Sequence, residues 1–373
     1  MEGIQEQDLE DHELFQKHVA DRFLVLSSSQ QHSSDASDYV EELLSIAWLR
    51  KLLDVFLCCE SEFKALLFFD GDPSLPVKAP LDRLISELLD RTVKALDVCN
   101  AITEGIELIR HSQKLAEVAI SAFNQRPLAD GQVRRAKKAL NVLVTSFTHD
   151  DKYSRSEGSW SFGLRGGGSA STKYRSSYTR QFRSLSSSVS KTWSAAKQIQ
   201  AMSANLVLPR GWESNGMALP VYIMSTVLVV VMWTLVAAIP CQDRAGLLTH
   251  FSFPRQLAWA VPIVGLQERI ADEWIKKEKK GSAGLLGEMQ RLERCAQKLI
   301  ELADSVQFPP EAEQLEGIGL QVAELAETCK KMDEGLFPLE LQIREVFHRI
   351  VRSRAEVLDV LDQAAKLSTS KCT

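Results

Sequence analysis

Four stretches contain residue types that could do chemistry. SWSFG at 159–163 sets Ser161 as in a nucleophile elbow, but Ser159 stands where the first glycine of that tight turn is required. His12-Glu13 opens like the helical zinc-protease pattern, in which two histidines one turn apart hold the metal; position 16 is Gln16, so the second ligand is missing. GLRGGGS at 163–169 has backbone freedom enough to cradle a phosphate, yet no Lys-Ser/Thr pair follows, and a linker is favoured. Vicinal Cys58 and Cys59 on a helix suit core packing better than redox chemistry. The seven cysteines (the others are Cys99, Cys241, Cys295, Cys329 and Cys372) never fall as C-x-x-C, and the seven histidines are dispersed. Neither a disulfide framework nor a zinc site is expected, and the thiols should be reduced. The pattern supplies no catalytic, cofactor-binding or metal-ligating residue, and no cofactor.

What remains is charge and hydrophobicity. Ten basic residues lie between positions 152 and 212 against Glu157 alone, while the whole chain carries a formal charge of −5. Within this block, 178–208 reads as an amphipathic helix: Phe182, Leu185, Val189, Ala196, Ile199, Met202 and Leu206 form a stripe beside Arg180, Arg183, Lys191 and Lys197. Those four cations are candidate contacts to anionic lipid or to a partner, each contributing about 1 kcal/mol near a charged membrane. Ser184, Ser186, Ser188 and Ser190 are candidate phosphorylation sites, since each phosphate would add about −1.5 to −2 charge and weaken such a contact. Nucleic acid is not expected, because the aromatics form no stacking platform.

Directly after the block comes MALPVYIMSTVLVVVMWTLVAAIP, 24 residues at 217–240 without a charge. As a helix it would be roughly 36 Å long, enough to cross a hydrocarbon core of about 30 Å. Ser225, Thr226 and Thr234 can return their hydroxyls to carbonyls one turn earlier. Met217, Leu219, Val221, Ile223, Val227, Val230, Trp233, Val236 and Ile239 are therefore candidate membrane-segment residues. A fully buried central helix has the same composition. The preceding basic residues would place the N-terminal half in the cytosol. Residues 241–373, which contain no Asn, look like a cytosolic helical module, so a buried helix or a re-entrant hairpin over 217–266 competes with a single span. The expected location is a membrane, single-pass or peripheral, with room for a cytosolic pool.

The surrounding elements read as helices. An acidic N-terminal segment and linker (1–37) precedes a helical bundle over 38–149. In that bundle Asp38 and Glu41 suit a helix start, and Leu81, Ile85, Leu88, Ala95, Cys99, Ile102, Ile106 and Ile109 mark a long second helix. A Ser/Arg/Gly linker expected to be disordered spans 150–179, then the basic helix (180–212), the apolar helix (213–242) and a C-terminal bundle (243–373). Leu285, Met289, Leu292, Leu299 and Leu302 form one C-terminal stripe; Ile343, Phe347, Ile350, Val357 and Leu361 form another. FPPE at 308–311 and GLFP at 335–338 read as turns. No stretch alternates with period two. The fold class is all-α: a bundle of long antiparallel helices with one apolar central helix, a candidate transmembrane segment.

Four strings carry a resemblance: WLRKLLDVFLCCESEFKALL (48–67), SLSSSVSKTWSAAKQIQAMSANLVLPRG (184–211), the apolar run with its continuation AAIPCQDRAGL (237–247), and LQERIADEWIKKEKKGSAGLL (266–286). Together they resemble the plant BYPASS-like family, and within it the ROH branch, over nearly the whole chain. The resemblance implies a plant protein without enzymatic activity and with no catalytic residues to carry over. It implies an exocyst subunit as partner and a role in polarised secretion and cell-wall deposition. The alternative it leaves open is a developmental regulator limiting a mobile signal by binding or transport.

Overall fold

A computed structural model describes residues 2–28, 42–69, 81–148, 193–209, 216–241, 246–251, 253–278 and 284–370. The described residues form helices and connecting turns, with no strand among them. The helices are α1 (Glu2–Ser28), α2 (Ile46–Phe69), α3 (Leu81–Phe123), α4 (Asp130–Thr148), α5 (Ala195–Ser203), α6 (Ala218–Ala238), α7 (Ala260–Glu278), α8 (Gly287–Ser305) and α9 (Ala312–Ser370). The all-α class and the apolar central helix expected from the sequence are both present.

The chain folds around α6. Helices α1, α2, α3, α5 and α7 pack against it. The long α3 also pairs with α4, and α8 with α9; α9 in turn lies on α3 and α2, and α8 on α4. Helix directions follow from the polar contacts. Arg110 meets Glu340 at 2.6 Å, whereas Arg354 donates to the Leu89 carbonyl at 2.6 Å, so α3 and α9 run antiparallel. Arg50 meets Gln342 and Glu60 meets Arg349, so α2 and α9 run parallel. One hydrophobic core, from Phe15 on α1 to Val357 on α9, passes through both helical groups.

Three local expectations are corrected. The helix expected from Asp38 begins at Ile46 instead, after a turn in which Ser45 Oγ accepts from the Trp48 N–H at 3.1 Å. Leu43 and Leu44 thus precede the helix, and Leu44 is buried all the same. GLFP at 335–338 is not a turn: α9 runs straight through it with Pro338 inside. Leu336 and Leu339 are buried there, and their burial outweighs the poor helix propensity of Gly335 and Pro338. A Cβ on Gly335 would stand 2.7 Å from Ile46 Cγ2, so this glycine is what lets the start of α2 touch α9. The helix expected over 178–208 stops at Ser203, because Asn205 takes a left-handed conformation (φ 59°) that ends it. Its portion before 193 lies outside the described residues, as does the expected linker at 150–179.

Candidate functional site

Every residue of α6 is buried. By length and composition it could cross a membrane, and in this fold the bundle covers the whole of it. The candidate membrane residues Met217, Leu219, Val221, Ile223, Val227, Val230, Trp233, Val236 and Ile239 all lie in the core. The few polar atoms are handled internally. Thr226 Oγ1 donates to the Tyr222 carbonyl at 2.9 Å and Thr234 Oγ1 to the Val230 carbonyl at 2.8 Å, the one-turn return expected from the sequence. Trp233 Nε1 donates to the Leu248 carbonyl at 2.6 Å, and the Trp233 ring meets Phe251 edge-on at 5.6 Å. The segment after α6 is therefore folded back over it.

The exit of α6 is fixed by backbone contacts. Its last carbonyls, on Ala237 and Ala238, accept the Leu285 and Leu286 N–H groups, each at 3.1 Å. These are orphan acceptors that a helix end must satisfy. A Cβ on Gly105 would lie 2.3 Å from the Pro240 carbonyl oxygen, so α3 needs glycine there to receive the exit. Two residues further on, the buried Glu288 at the start of α8 accepts the Ile46 N–H with both oxygens, at 3.1 and 3.2 Å, and caps α2. Burial pushes the Glu288 carboxyl above the ordinary glutamate value, and the hydrogen bonds it accepts only partly oppose this. A cleft of about 360 Å³ opens beside this joint; Arg269, Asp272, Glu273 and Lys276 line it with mixed charge.

On α5, Ala196, Ile199 and Met202 are buried against α3 and α6, so this part of the amphipathic stripe is used in packing. Lys197 is exposed, and its backbone N–H is capped by Ser194 Oγ at 3.3 Å. Arg180, Arg183, Lys191, Ser184, Ser186, Ser188 and Ser190 lie outside the described residues. The end of α5 is held by Arg91 of α3, a buried guanidinium that donates to the Met202 carbonyl at 2.9 Å and the Ala204 carbonyl at 3.3 Å. Glu87, one turn before Arg91, sits 3.5 Å from it. The i,i+4 pair was visible in the sequence, but its target was not. Glu288 carried no sequence signal, because its partner is 242 residues away.

The groups most suited to chemistry are engaged in structure. Burial pushes the Cys59 and Cys295 thiols up to about 11 and those of Cys99 and Cys329 to about 12, which keeps them protonated and poorly nucleophilic. Glu62 holds α1 to α2 by binding both His18 at 2.5 Å and Arg22 at 2.6 Å. Among the described residues, no three His, Cys, Asp or Glu side chains are grouped so as to hold a metal ion.

The Protein ROH1-like family model matches residues 1–361. Protein ROH1A of Arabidopsis thaliana is 52% identical over 97% of this chain and 92% of its own length. Protein ROH1D of the same plant is 44% identical over 93% of this chain and 87% of its own length. UPF0496 protein 4 of Oryza sativa subsp. japonica is 23% identical, matching 78% of this chain and 55% of its own length. No solved structure matches. With a family model across almost the entire sequence and a relative identical at half its positions, the chain belongs to the ROH1-like family of plant proteins.

Proposed function

We propose that this protein is a non-enzymatic adaptor that binds an exocyst subunit and supports polarised secretion and cell-wall deposition. One observation carries the reading: the buried reactive and charged groups are spent on joints between helices, while long helix faces are left to solvent. Arg91 and Glu288 cap helix ends, Glu60 faces Arg349 across α2 and α9, and four thiols are buried and protonated. Such a molecule can present surfaces, and its chemistry is recognition. The exocyst partner rests on the family resemblance.

Membrane attachment is peripheral, at the cytosolic leaflet. Spanning would strip α1, α2, α3, α5 and α7 from α6 and leave their apolar stripes in water. The basic block at 152–212 supplies the attraction to anionic headgroups instead, with phosphorylation at Ser184, Ser186, Ser188 or Ser190 to weaken it.

The test has two parts. The purified full chain should bind a recombinant exocyst subunit saturably, and loss of the protein should impair delivery of wall cargo while mobile signalling stays normal. Absence of binding, or disturbed signalling with normal delivery, would replace this reading with the developmental regulator. Alkaline carbonate should release the protein from membranes, and full retention would put α6 across the bilayer. Flotation with anionic vesicles should fall with salt, and fall again with Ser186→Asp and Ser188→Asp.

A further inference from the structure

Helix α4 buries one side against its neighbours and leaves the other cationic. Val133, Ala136, Leu140 and Leu143 are buried where α4 packs on α3 and α8. At about 100° per residue, exposed Arg134, Arg135, Lys138, Asn141, Val142 and Thr145 cover an outer arc of roughly 120°, with Lys138 near its middle. The string RRAKK at 134–138 puts four cations into five residues, and positions 131–148 contain no Asp or Glu. Two of the four cations have a carboxylate: Arg134 pairs with Asp130 at the start of its own helix, and Lys137 with Asp304 of α8. Both pairs lie at the surface and hold their partners weakly. Arg135 and Lys138 form no ion pair among the described residues. On the adjoining α8, exposed Arg294 and Lys298 balance exposed Glu301 and Asp304, so the positive charge of the α4 face stands uncompensated. Four residues beyond Thr148, Lys152 begins the basic block.

We propose that the outer face of α4 is the folded surface with which this protein rests on an anionic bilayer. The inference rests on the peripheral-attachment reading and gives that reading a structured contact. Charge and shape select the occupant together. A second copy of this chain would set Lys138 against Lys138 or against its flanking arginines, like charge on like charge. A protein partner draws its affinity from apolar or aromatic anchors at the centre of the interface, and the face offers only Val142, 47% exposed. Single-stranded nucleic acid stacks its bases on aromatic side chains, and this face has none. A layer of anionic headgroups needs neither anchor nor platform: it needs a broad arc of cations free of carboxylates, and attraction falls off only beyond a Debye length. The basic block that follows in sequence adds its charge to the same contact.

The experiment uses the full chain and vesicles of phosphatidylcholine, with or without phosphatidylserine as one third of the lipid. The wild-type chain should float with the anionic vesicles and not with the neutral ones. Arg135→Gln with Lys138→Gln should weaken anionic-vesicle binding about twentyfold, roughly fivefold for each cation removed near a charged membrane. The thermal melt should not change, because both side chains are exposed and unpaired. Lys330→Gln with Arg352→Gln takes the same charge from exposed positions on α9 and should leave binding within about twofold. Equal losses in the two double variants would reduce the effect to net charge and overturn the face. So would a second copy or duplex DNA whose binding, rather than that of vesicles, is what the α4 substitutions abolish. Displacement from vesicles by inositol hexakisphosphate at matched phosphate concentration would make a soluble anion the occupant and overturn it too. The basic block separates the two levels. Full flotation of the α4 variant, with loss in Arg180→Gln, Arg183→Gln, Lys191→Gln, overturns the α4 face and leaves peripheral attachment standing; a wild-type chain that floats with neither vesicle overturns the attachment reading itself.

Discussion

Helices α6 and α9 show two ways of using apolar residues. Helix α6 is apolar on every side and has no face left over, so five helices and a folded-back loop enclose it. Helix α9 separates its apolar residues into an inner stripe that the core consumes and an outer row that remains in contact with water. A helix without a polar side can only be a hub or a span, whereas a helix with two stripes can hold a fold together and still present a surface. The difference teaches where tolerance to change should lie. Core positions on α6 should be intolerant, the joints around its exit intermediate, and the outer row of α9 nearly silent in stability.

The sharpest way to break this contrast is Val230→Arg at the centre of α6. The guanidinium would be buried with no carboxylate provided for it, at a cost of about 3–5 kcal/mol or more. Loss of soluble folded protein, read by gel filtration and far-UV circular dichroism, is expected. A stable, soluble variant would mean that α6 is not enclosed.

Gly105→Val tests the joint where α3 receives the end of α6. The new side chain would press on backbone, the Pro240 carbonyl, which cannot swing away as a side-chain tip can. A destabilisation of about 1–3 kcal/mol is expected in urea unfolding. The same change at Gly131, where a Cβ would meet nothing within 4 Å, should be much milder.

Glu288→Ala removes the cap on α2 and should cost about 1 kcal/mol. Its pH dependence has a definite sign. Burial raises the Glu288 carboxyl in the folded state, so the folded chain holds that proton more tightly than the unfolded chain. This contribution to stability is present at low pH and is lost as pH rises from the ordinary glutamate value through the raised one. Glu288→Gln cannot titrate, so its stability relative to the wild-type chain should rise across that window. Parallel urea titrations on either side of it provide the check, and a difference that stays flat would place Glu288 in water.

The smallest effect is expected from Val351→Arg on the outer row of α9, within about 0.5 kcal/mol of the wild-type chain by thermal melting. A large loss there would put Val351 in the core and erase the distinction between the two stripes.

Much of the fold was legible because burial leaves a local mark. The charge-free run at 217–240 could be read as a helix without any partner in view, and the threes and fours from Leu81 to Ile109 marked α3. The errors occurred where a distant partner overrode a local signal. GLFP has the composition of a turn, yet Leu336 and Leu339 bind that segment into the core, and Ile46, far earlier in the chain, fills the space over Gly335. Asp38 and Glu41 have the spacing of a helix start, yet α2 starts where Ser45 and the remote Glu288 satisfy its first N–H groups. Of the candidate site, the basic cations and serines were legible as composition alone. The stripe read on α9 from the sequence, Ile343, Phe347, Ile350, Val357 and Leu361, is the inner one, whereas the exposed Phe337, Leu341, Val351 and Leu358 are too sparse to mark a second period and emerged only with the structure.

By itself, then, the sequence determined that this protein is helical, that 217–240 must leave water, and that the basic charge gathers just before it. Those follow from properties each segment has alone: period, length and charge. Only the tertiary structure decided what takes α6 out of water. A lipid core and a sheath of helices lower the free energy of an apolar side chain in the same way, and no residue of α6 distinguishes them. The distinction is made by Gly105, Leu285, Leu286 and Leu248, whose backbone approaches and hydrogen bonds to α6 and its exit become visible only once the chain has folded.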